Sequence, residues 1–103
     1  MERLVELVPL QIENKLCVGV SLRLPKTTVL AVVAPKGYLM CGLLDVERLD
    51  KLHSDRAIVA ARVSGARTIE DLLAGRVDAV TVAGRAAGVT EGITGEEALG
   101  HML

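Results

Sequence analysis

Two cysteines and two histidines are the side chains of this sequence best suited to nucleophilic or metal chemistry. Cys41 lies in the apolar stretch GYLMCGLLDV, one residue before Gly42 and four before Asp45. A thiol beside a glycine can meet a substrate closely, because glycine lets the backbone approach. A helix that begins at Asp45, or an arginine such as Arg62 or Arg67, would stabilise a thiolate there. Cys41 is therefore the candidate catalytic residue.

The same stretch also fits a buried strand, in which cysteine packs as a small hydrophobic residue. A catalytic thiol usually works with a base. The only imidazoles belong to His53, where a helix is expected to end, and to His101, in the last turn of the chain. The core interpretation of Cys41 is favoured over the catalytic one, and both stay open at this point.

Metal and nucleotide motifs are missing from the sequence. Cys17, Cys41, His53 and His101 show no CxxC or HxxxH spacing, so we predict no metal site. The patterns GxxxxGK[ST], GxGxxG and GxSxG are absent as well, which leaves nucleotide-loop and hydrolase-elbow mechanisms without support. The sequence therefore names no cofactor.

The turn SGART, residues 64–68, is the second candidate site. A strand is expected to end here, Gly65 allows a sharp turn, and Thr68 begins a helix. Free backbone N–H groups at a helix start attract anions, and Arg67 would offer a guanidinium fork to phosphate or carboxylate. The alternative is an ordinary strand-to-helix turn with a solvated arginine. The predicted site of a small anionic ligand combines this turn with residues 37–45 and consists of Gly42, Asp45, Gly65, Arg67 and Thr68.

Length and composition limit the class of protein. The 103 residues allow one domain at most, which is residues 1–103. Hydrophobic residues make up 50% of the chain and aromatic ones 1%, so the core must be aliphatic and offers few stacking surfaces for bases. A net charge of −1 provides no field for nucleic acid or an anionic membrane. The N-terminus has no signal-peptide character, and we expect a cytoplasmic protein with free thiols.

Alternation of side chains predicts a strand pair at the N-terminus. Residues 16–24, LCVGVSLRL, carry Leu or Val at every second position and place Cys17 on the opposite, more polar face. Residues 4–12 form the partner strand, and Pro9 places that strand at the sheet edge because proline cannot donate to a ladder. Residues 13–15 are the hairpin turn.

Two continuous apolar runs follow, residues 28–34 and 38–44, joined by the tight turn Pro35-Lys36-Gly37. Neither run alternates, so both faces of these strands should be covered. Helices can cover one face, whereas the other needs more chain than this sequence provides. We therefore expect a closed homo-oligomer, with a dimer as the commonest form of such an assembly.

Capping signals predict the helices. In chain order, the expected elements are a helix from Asp45 to about His53, a buried strand over residues 57–63, and a helix opened by Thr68 and closed by Gly75. Residues 77–87 are compatible with a short strand or a helix, and a helix from about Asp78 is favoured. A final helix is opened by the capping box of residues 94–97. This order predicts an α+β fold, with a mainly antiparallel sheet from the N-terminal strands and three or four helices toward the C-terminus.

The motifs GYLMCG at residues 37–42, Arg67-Thr68-Ile69 and TGEEAL at residues 94–99 together resemble the YunC-like family of small bacterial and archaeal proteins, a domain of unknown function. The resemblance extends over most of the chain from Leu24 onward, whereas the first strand pair is similar only in character. It implies a compact α+β domain and carries no activity, cofactor or catalytic residue. His53 is not part of the family pattern, which weakens a Cys–His pair.

Three functions are compatible with these features. The leading one is an oligomeric cytoplasmic protein that binds a small anionic ligand near residues 37–45 and 65–68, without nucleic acid or membrane partners. The second is an enzyme that uses the Cys41 thiolate. The third is a structural module whose exposed sheet face binds another protein.

Overall fold

The computed structural model describes residues 4–42, 45–52 and 57–103. Its strands are β1 (Val5–Ile12), β2 (Lys15–Leu24), β3 (Thr27–Ala34), β4 (Gly37–Met40), β5 (Ala60–Arg62) and β6 (Ala79–Val80). Its helices are α1 (Val46–Leu52), α2 (Ile69–Ala74), α3 (Val82–Ala86) and α4 (Gly95–Gly100). The strands form one sheet in the order β1-β2-β3-β4-β5-β6, antiparallel except for the parallel pair β4–β5. The predicted α+β class is confirmed.

The backbone conformation of the turn residues determines how the N-terminal strands pair. Glu13 and Asn14 both have positive φ, 49° and 68°, and join Ile12 to its partner Lys15 in a two-residue turn of the kind that fits the twist of a hairpin. β1 lies at the edge of the sheet, as Pro9 predicted. Pro35 and Lys36 likewise connect the paired residues Ala34 and Gly37.

One face of the sheet, here called the inner face, packs against α2 and α4. Its core side chains come from every strand: Ile12, Cys17, Leu30, Val32, Ala34, Leu39, Ala61 and Val80. Leu72 of α2 and Leu99 of α4 are fully buried against them. Cys17 is 1% exposed, so its predicted place on a solvent-facing polar face is wrong. The small residues of β2 face the helices because they allow α2 to approach closely.

The opposite face of β1–β3, here called the outer face, bears the larger side chains of β2. The strand register places thirteen residues on it: Val5, Leu7, Pro9, Gln11, Leu16, Val18, Val20, Leu22, Leu24, Thr27, Val29, Ala31 and Val33. None of these thirteen is buried, and none is charged. Leu7 is 64% exposed and Leu16 61%. The apolar alternation in β2 therefore points away from the core.

Helix α1 covers the outer side of the sheet beyond β3. Val46 of α1 and Ala60 of β5 form a second buried cluster, with Tyr38, Met40 and Ala79 packed against it. The register places Tyr38, Met40 and Ala60 in the same rows as the outer face. The apolar surface therefore ends at α1 on one side and at the free edge of β1 on the other.

The capping predictions are confirmed. The Asp45 carboxylate accepts a hydrogen bond of 3.0 Å from the backbone N–H of Arg48, and Thr68 caps α2, with Gly75 after its last residue. Thr94 and Glu97 form the complete capping box of α4. Part of the prediction concerns Leu43, Leu44 and His53, which lie outside the described residues.

The prediction of a helix from about Asp78 is wrong over its first residues. Ala79 and Val80 form β6, paired with Ala61 and Arg62, and the helix begins only at Val82. The side chain of Asp78 accepts a bond from Arg62 of β5, and the Thr81 side chain caps α3, which explains the later start. β5 is also shorter than the predicted strand over residues 57–63.

The main core extends from Ile12 in β1 to Met102 near the C-terminus. This shared core makes the described residues one compact domain, and the bounds 1–103 stay a prediction. No helix within the described part of the chain is both long and apolar enough to cross a membrane.

Candidate functional site

Cys41 follows β4 on the inner side of the sheet. Its side chain belongs to the main core and is 5% exposed, and its backbone N–H donates a 3.0 Å bond to the Leu30 carbonyl. Gly42, the next residue, is exposed, and a Cβ added to it would meet Ser64 Oγ at 3.5 Å. That distance is an ordinary contact, so the glycine at this position is not required for close packing against Ser64. The geometry places the thiol in the core and the glycine at the surface.

The turn of residues 64–68 has the expected backbone. Gly65 adopts φ +81°, a conformation that glycine accepts easily. The groups at the start of α2 are engaged within the chain: Asp71 N–H donates to Thr68 Oγ1 at 3.1 Å, and Arg67 N–H donates to Asp71 Oδ2 at 3.0 Å. A carboxylate of the protein therefore occupies part of the anion-attracting position, while the Arg67 residue is exposed.

A polar cleft with a volume of about 770 Å³ lies where α1 and α3 flank β5 and β6. Gly42 and Asp45, two of the predicted ligand residues, line it, whereas Gly65, Arg67, Thr68 and Cys41 do not. Its charged lining residues are Asp45, Glu47, Asp50, Asp78, Glu91, Arg62 and Arg85. Five carboxylates against two guanidinium groups make the cleft acidic.

Arg62 and Asp78 form the polar centre of the cleft. Arg62 Nε donates a 2.7 Å bond to Asp78 Oδ1, and the backbone N–H of Ser64 donates a 3.0 Å bond to Asp78 Oδ2. Burial of Asp78 raises its pKa, but the hydrogen bonds from Ser64 and Arg62 outweigh that effect and bring the pKa below its ordinary value. Asp78 is therefore ionised at neutral pH. Its bonds connect the chain just before β6 to β5 and to the turn that follows β5.

Asp50 connects α1 to α3 across the cleft. Its carboxylate accepts bonds of 3.1 and 3.3 Å from the Val82 backbone N–H, the first amide of α3. Thr81, the residue just before Val82, caps this helix and is fully buried. Thr81 Oγ1 donates to the Ile58 carbonyl at 2.6 Å and accepts from the N–H groups of Ala60 and Gly84. Side-chain hydrogen bonds of Asp50 and Thr81 thus fix the start of α3, which forms one wall of the cleft.

The outer rim of the cleft carries a second ion pair, in which the Arg85 guanidinium donates two hydrogen bonds to the Glu91 carboxylate. The bond from Arg85 lowers the pKa of Glu91. Both arginines of the cleft therefore have carboxylate partners within the chain, which reduces their availability to a bound anion.

The fold brings together only part of the predicted site. Gly42 lies beside Ser64, so the two predicted segments do meet at that point. Sequence reasoning did not identify Asp50, Asp78, Arg85 and Glu91 as cleft residues. The capping pattern around Asp45 located one wall, whereas the pairing of β5 with β6, which joins Arg62 to Asp78, had no local signal because β6 has only two residues.

Comparisons with known proteins agree with the fold and the motifs. Residues 40–102, more than half of the chain, match the family model "Domain of unknown function (DUF1805)". The uncharacterized protein YunC of Bacillus subtilis strain 168 is 42% identical over 100 residues, which are 97% of this chain and 99% of that protein. The crystal structure of TA1206 from Thermoplasma acidophilum, a protein of unknown function, superposes with a TM-score of 0.86 at 23% identity, covering 96% of this chain and 93% of that one. This chain belongs to the YunC-like family, whose members share this domain of unknown function.

Proposed function

We propose that this protein is a self-assembling cytoplasmic protein whose outer face is the surface of association. The observation that carries the proposal is the outer face itself, thirteen uncharged residues on three adjacent strands with none of them buried. The largest apolar patch on a monomeric protein typically measures about 300–600 Å² and is often a functional surface, and the outer face is of that size. The cytoplasmic location is supported by two free cysteines, Cys17 and Cys41, since that compartment keeps thiols reduced.

The test compares two exposed apolar residues that differ in their place on the molecule. Leu7 lies on the outer face and is 64% exposed, whereas Val82 lies on α3 and is 70% exposed. A lysine at position 7 would bring a charge into the association surface. We expect Leu7→Lys to sediment as a monomer at micromolar concentration, and Val82→Lys to sediment as the wild type does. Equal behaviour of the two variants would contradict the proposal.

A small ligand in the polar cleft is a second proposal, supported by the cleft's volume and by the two Arg–carboxylate pairs within it. Because carboxylates outnumber guanidinium groups there, we propose a ligand that carries a positive group, alone or beside a negative one. Native mass spectrometry of gently purified protein would reveal a retained ligand, and Asp45→Asn should reduce its occupancy.

The anionic ligand predicted near Arg67 keeps one supporting feature, the exposed arginine at the start of α2. Asp71 already accepts the Arg67 amide, so we expect phosphate to raise the melting temperature equally in the wild type and in Arg67→Ala. A rise that is smaller in the variant would instead support an anion site at this turn. The thiol-enzyme alternative is addressed by the reactivity of Cys41, discussed below.

A further inference from the structure

We infer that the outer face binds the outer face of a second copy of this chain, with a two-fold axis between the two sheets that passes beside Val20. This inference rests on the proposed self-assembly and adds its partner and geometry. The two sheets would then form a closed sandwich, in which α1, α2, α3 and α4 of each copy lie outside the contact.

The outer face comes close to the size at which specific interfaces begin. The ten residues of β2 extend about 33 Å and three strands measure about 14 Å across, so the face is roughly 450 Å² before the relief of its side chains is counted. Two such faces together bury roughly 900 Å² by this estimate, just below the about 1,000 Å² that a specific interface should exceed, and the relief of the side chains adds to the buried area. Because strands in packed sheets lie about 10 Å apart, side chains of the Val and Leu size would fill the space between them.

The chemistry of the face suits a second copy better than a different protein. A two-fold contact places the same patch on both sides, so a charged patch would repel itself. The thirteen outer-face residues carry no charge, and only Gln11 and Thr27 are polar. Every copy of the chain exposes this apolar surface, so covering it in all copies requires a partner as abundant as the chain itself. A second copy meets that requirement.

The borders of the face limit assembly to a closed pair. On one side α1 covers the rows that contain Tyr38 and Met40. On the other side is the free edge of β1. The Arg23 N–H donates to the Leu4 carbonyl, so Leu4 and every second residue after it bond to β2. The backbone N–H and C=O groups of the residues between them therefore point away from β2. These residues are Val5, Leu7, Pro9 and Gln11. Proline has no N–H in that exposed row, which disfavours growth by strand addition at the edge.

Val20 marks the centre of the face. It lies in the middle strand, and its neighbours in the register are Leu7 on β1 and Ala31 on β3. Leu16 and Leu24, near the two ends of β2, are equally far from it along the strand. A two-fold contact that buries the whole patch must bring the centre of one face against the centre of the other, so Val20 faces Val20 of the second copy.

Opposite charges at position 20 test this geometry. Val20→Lys alone and Val20→Asp alone place like charges against each other, and each should associate at least tenfold more weakly than the wild type. Their equimolar mixture should form a heterodimer in excess over both homodimers, identified by its intermediate mass in native mass spectrometry. Val82→Lys and Val82→Asp are the controls and should associate as the wild type does. Far-ultraviolet circular dichroism confirms that each variant is folded.

The outcomes separate the inference from the proposed function. A wild type that is monomeric at micromolar concentration overturns both. A wild type that associates, with Val20 variants that associate equally well or a mixture that forms no heterodimer, overturns the geometry and leaves self-assembly standing. If a Val20 variant does not fold, the same pair of charges at Ala31, the adjacent outer-face residue on β3, replaces it, with the same expected heterodimer.

Discussion

Gly19 of β2 lies directly below Ile69 of α2. A Cβ at position 19 would stand 3.4 Å from both Cδ1 and Cγ2 of Ile69, so this strand position has room for a methyl group at most. Cys17 and Ser21, two residues to either side on the same face, are also buried. The inner face of β2 is therefore built from small side chains because α2 packs close to it, and the Leu and Val side chains are directed to the outer face.

Gly19→Val should lower the free energy of unfolding by about 1–3 kcal/mol, because its methyl groups would overlap Ile69 in a packed core. Valine is otherwise a better strand residue than glycine, so intrinsic preference acts in the opposite direction. Gly19→Ala is the graded control and should change stability much less, since a Cβ there makes an ordinary contact. Urea unfolding measures both. A valine variant as stable as the wild type would mean that α2 does not pack here.

Thr81→Val should lower stability by about 2 kcal/mol. The hydroxyl accepts bonds from the N–H groups of Ala60 and Gly84, and valine would leave those buried amides without an acceptor. Thr81→Ser keeps the hydroxyl and should retain most of the stability. If serine and valine variants unfold at the same urea concentration, the bonds of the hydroxyl contribute little and the prediction is wrong.

Asp78 gives the cleft a pH-dependent contribution to stability. Its pKa is below the ordinary value of 3.8, so the contribution is complete above that pH and is lost as the pH falls through the lower, folded-state pKa. Asp78→Asn should therefore be less stable than the wild type by about 0.5–1 kcal/mol at neutral pH, a magnitude set by its solvent-exposed ion pair. The difference should shrink below pH 3.8. A difference that is constant with pH would remove the proposed role of the charge.

Cys41 should react slowly with iodoacetamide in the folded protein. It is 5% exposed and surrounded by core side chains, so reagent access requires local opening. Cys17 is the internal comparison: burial raises the pKa of its thiol, and it should be equally slow. Peptide mass spectrometry after labelling, with and without denaturant, measures both. Rapid labelling of Cys41 at neutral pH with the fold intact would favour the thiol-enzyme alternative.

Much of the fold could be predicted from the sequence because its signals are local. Pro9 places β1 at an edge through its missing N–H, and Thr68 and Thr94 mark helix starts through the bonds that their own side chains make. The orientation of β2 could not be predicted in the same way. Alternation locates a strand but does not tell which face the helices cover, and the choice depends on the approach of Ile69 to Gly19, residues 50 positions apart in the numbering.

The candidate site could be predicted from the sequence only where its residues lie close together along the chain. Gly42 and Asp45 are close in sequence, and both line the cleft. The bond from Arg62 to Asp78 requires β5 and β6 to pair, and a strand of two residues leaves no periodicity to detect. The burial of Cys41 depends on α4, which packs against β4 but is distant in the sequence, so no local signal decides between a buried and a reactive thiol.

Self-assembly through the outer face is the central claim, and native mass spectrometry of the wild-type protein tests it most directly. The measurement counts chains in each assembly and detects retained small molecules at the same time. We expect an assembly of two chains at micromolar concentration, which Leu7→Lys converts to single chains and Val82→Lys leaves unchanged. Single chains of the wild-type protein at micromolar concentration would contradict self-assembly.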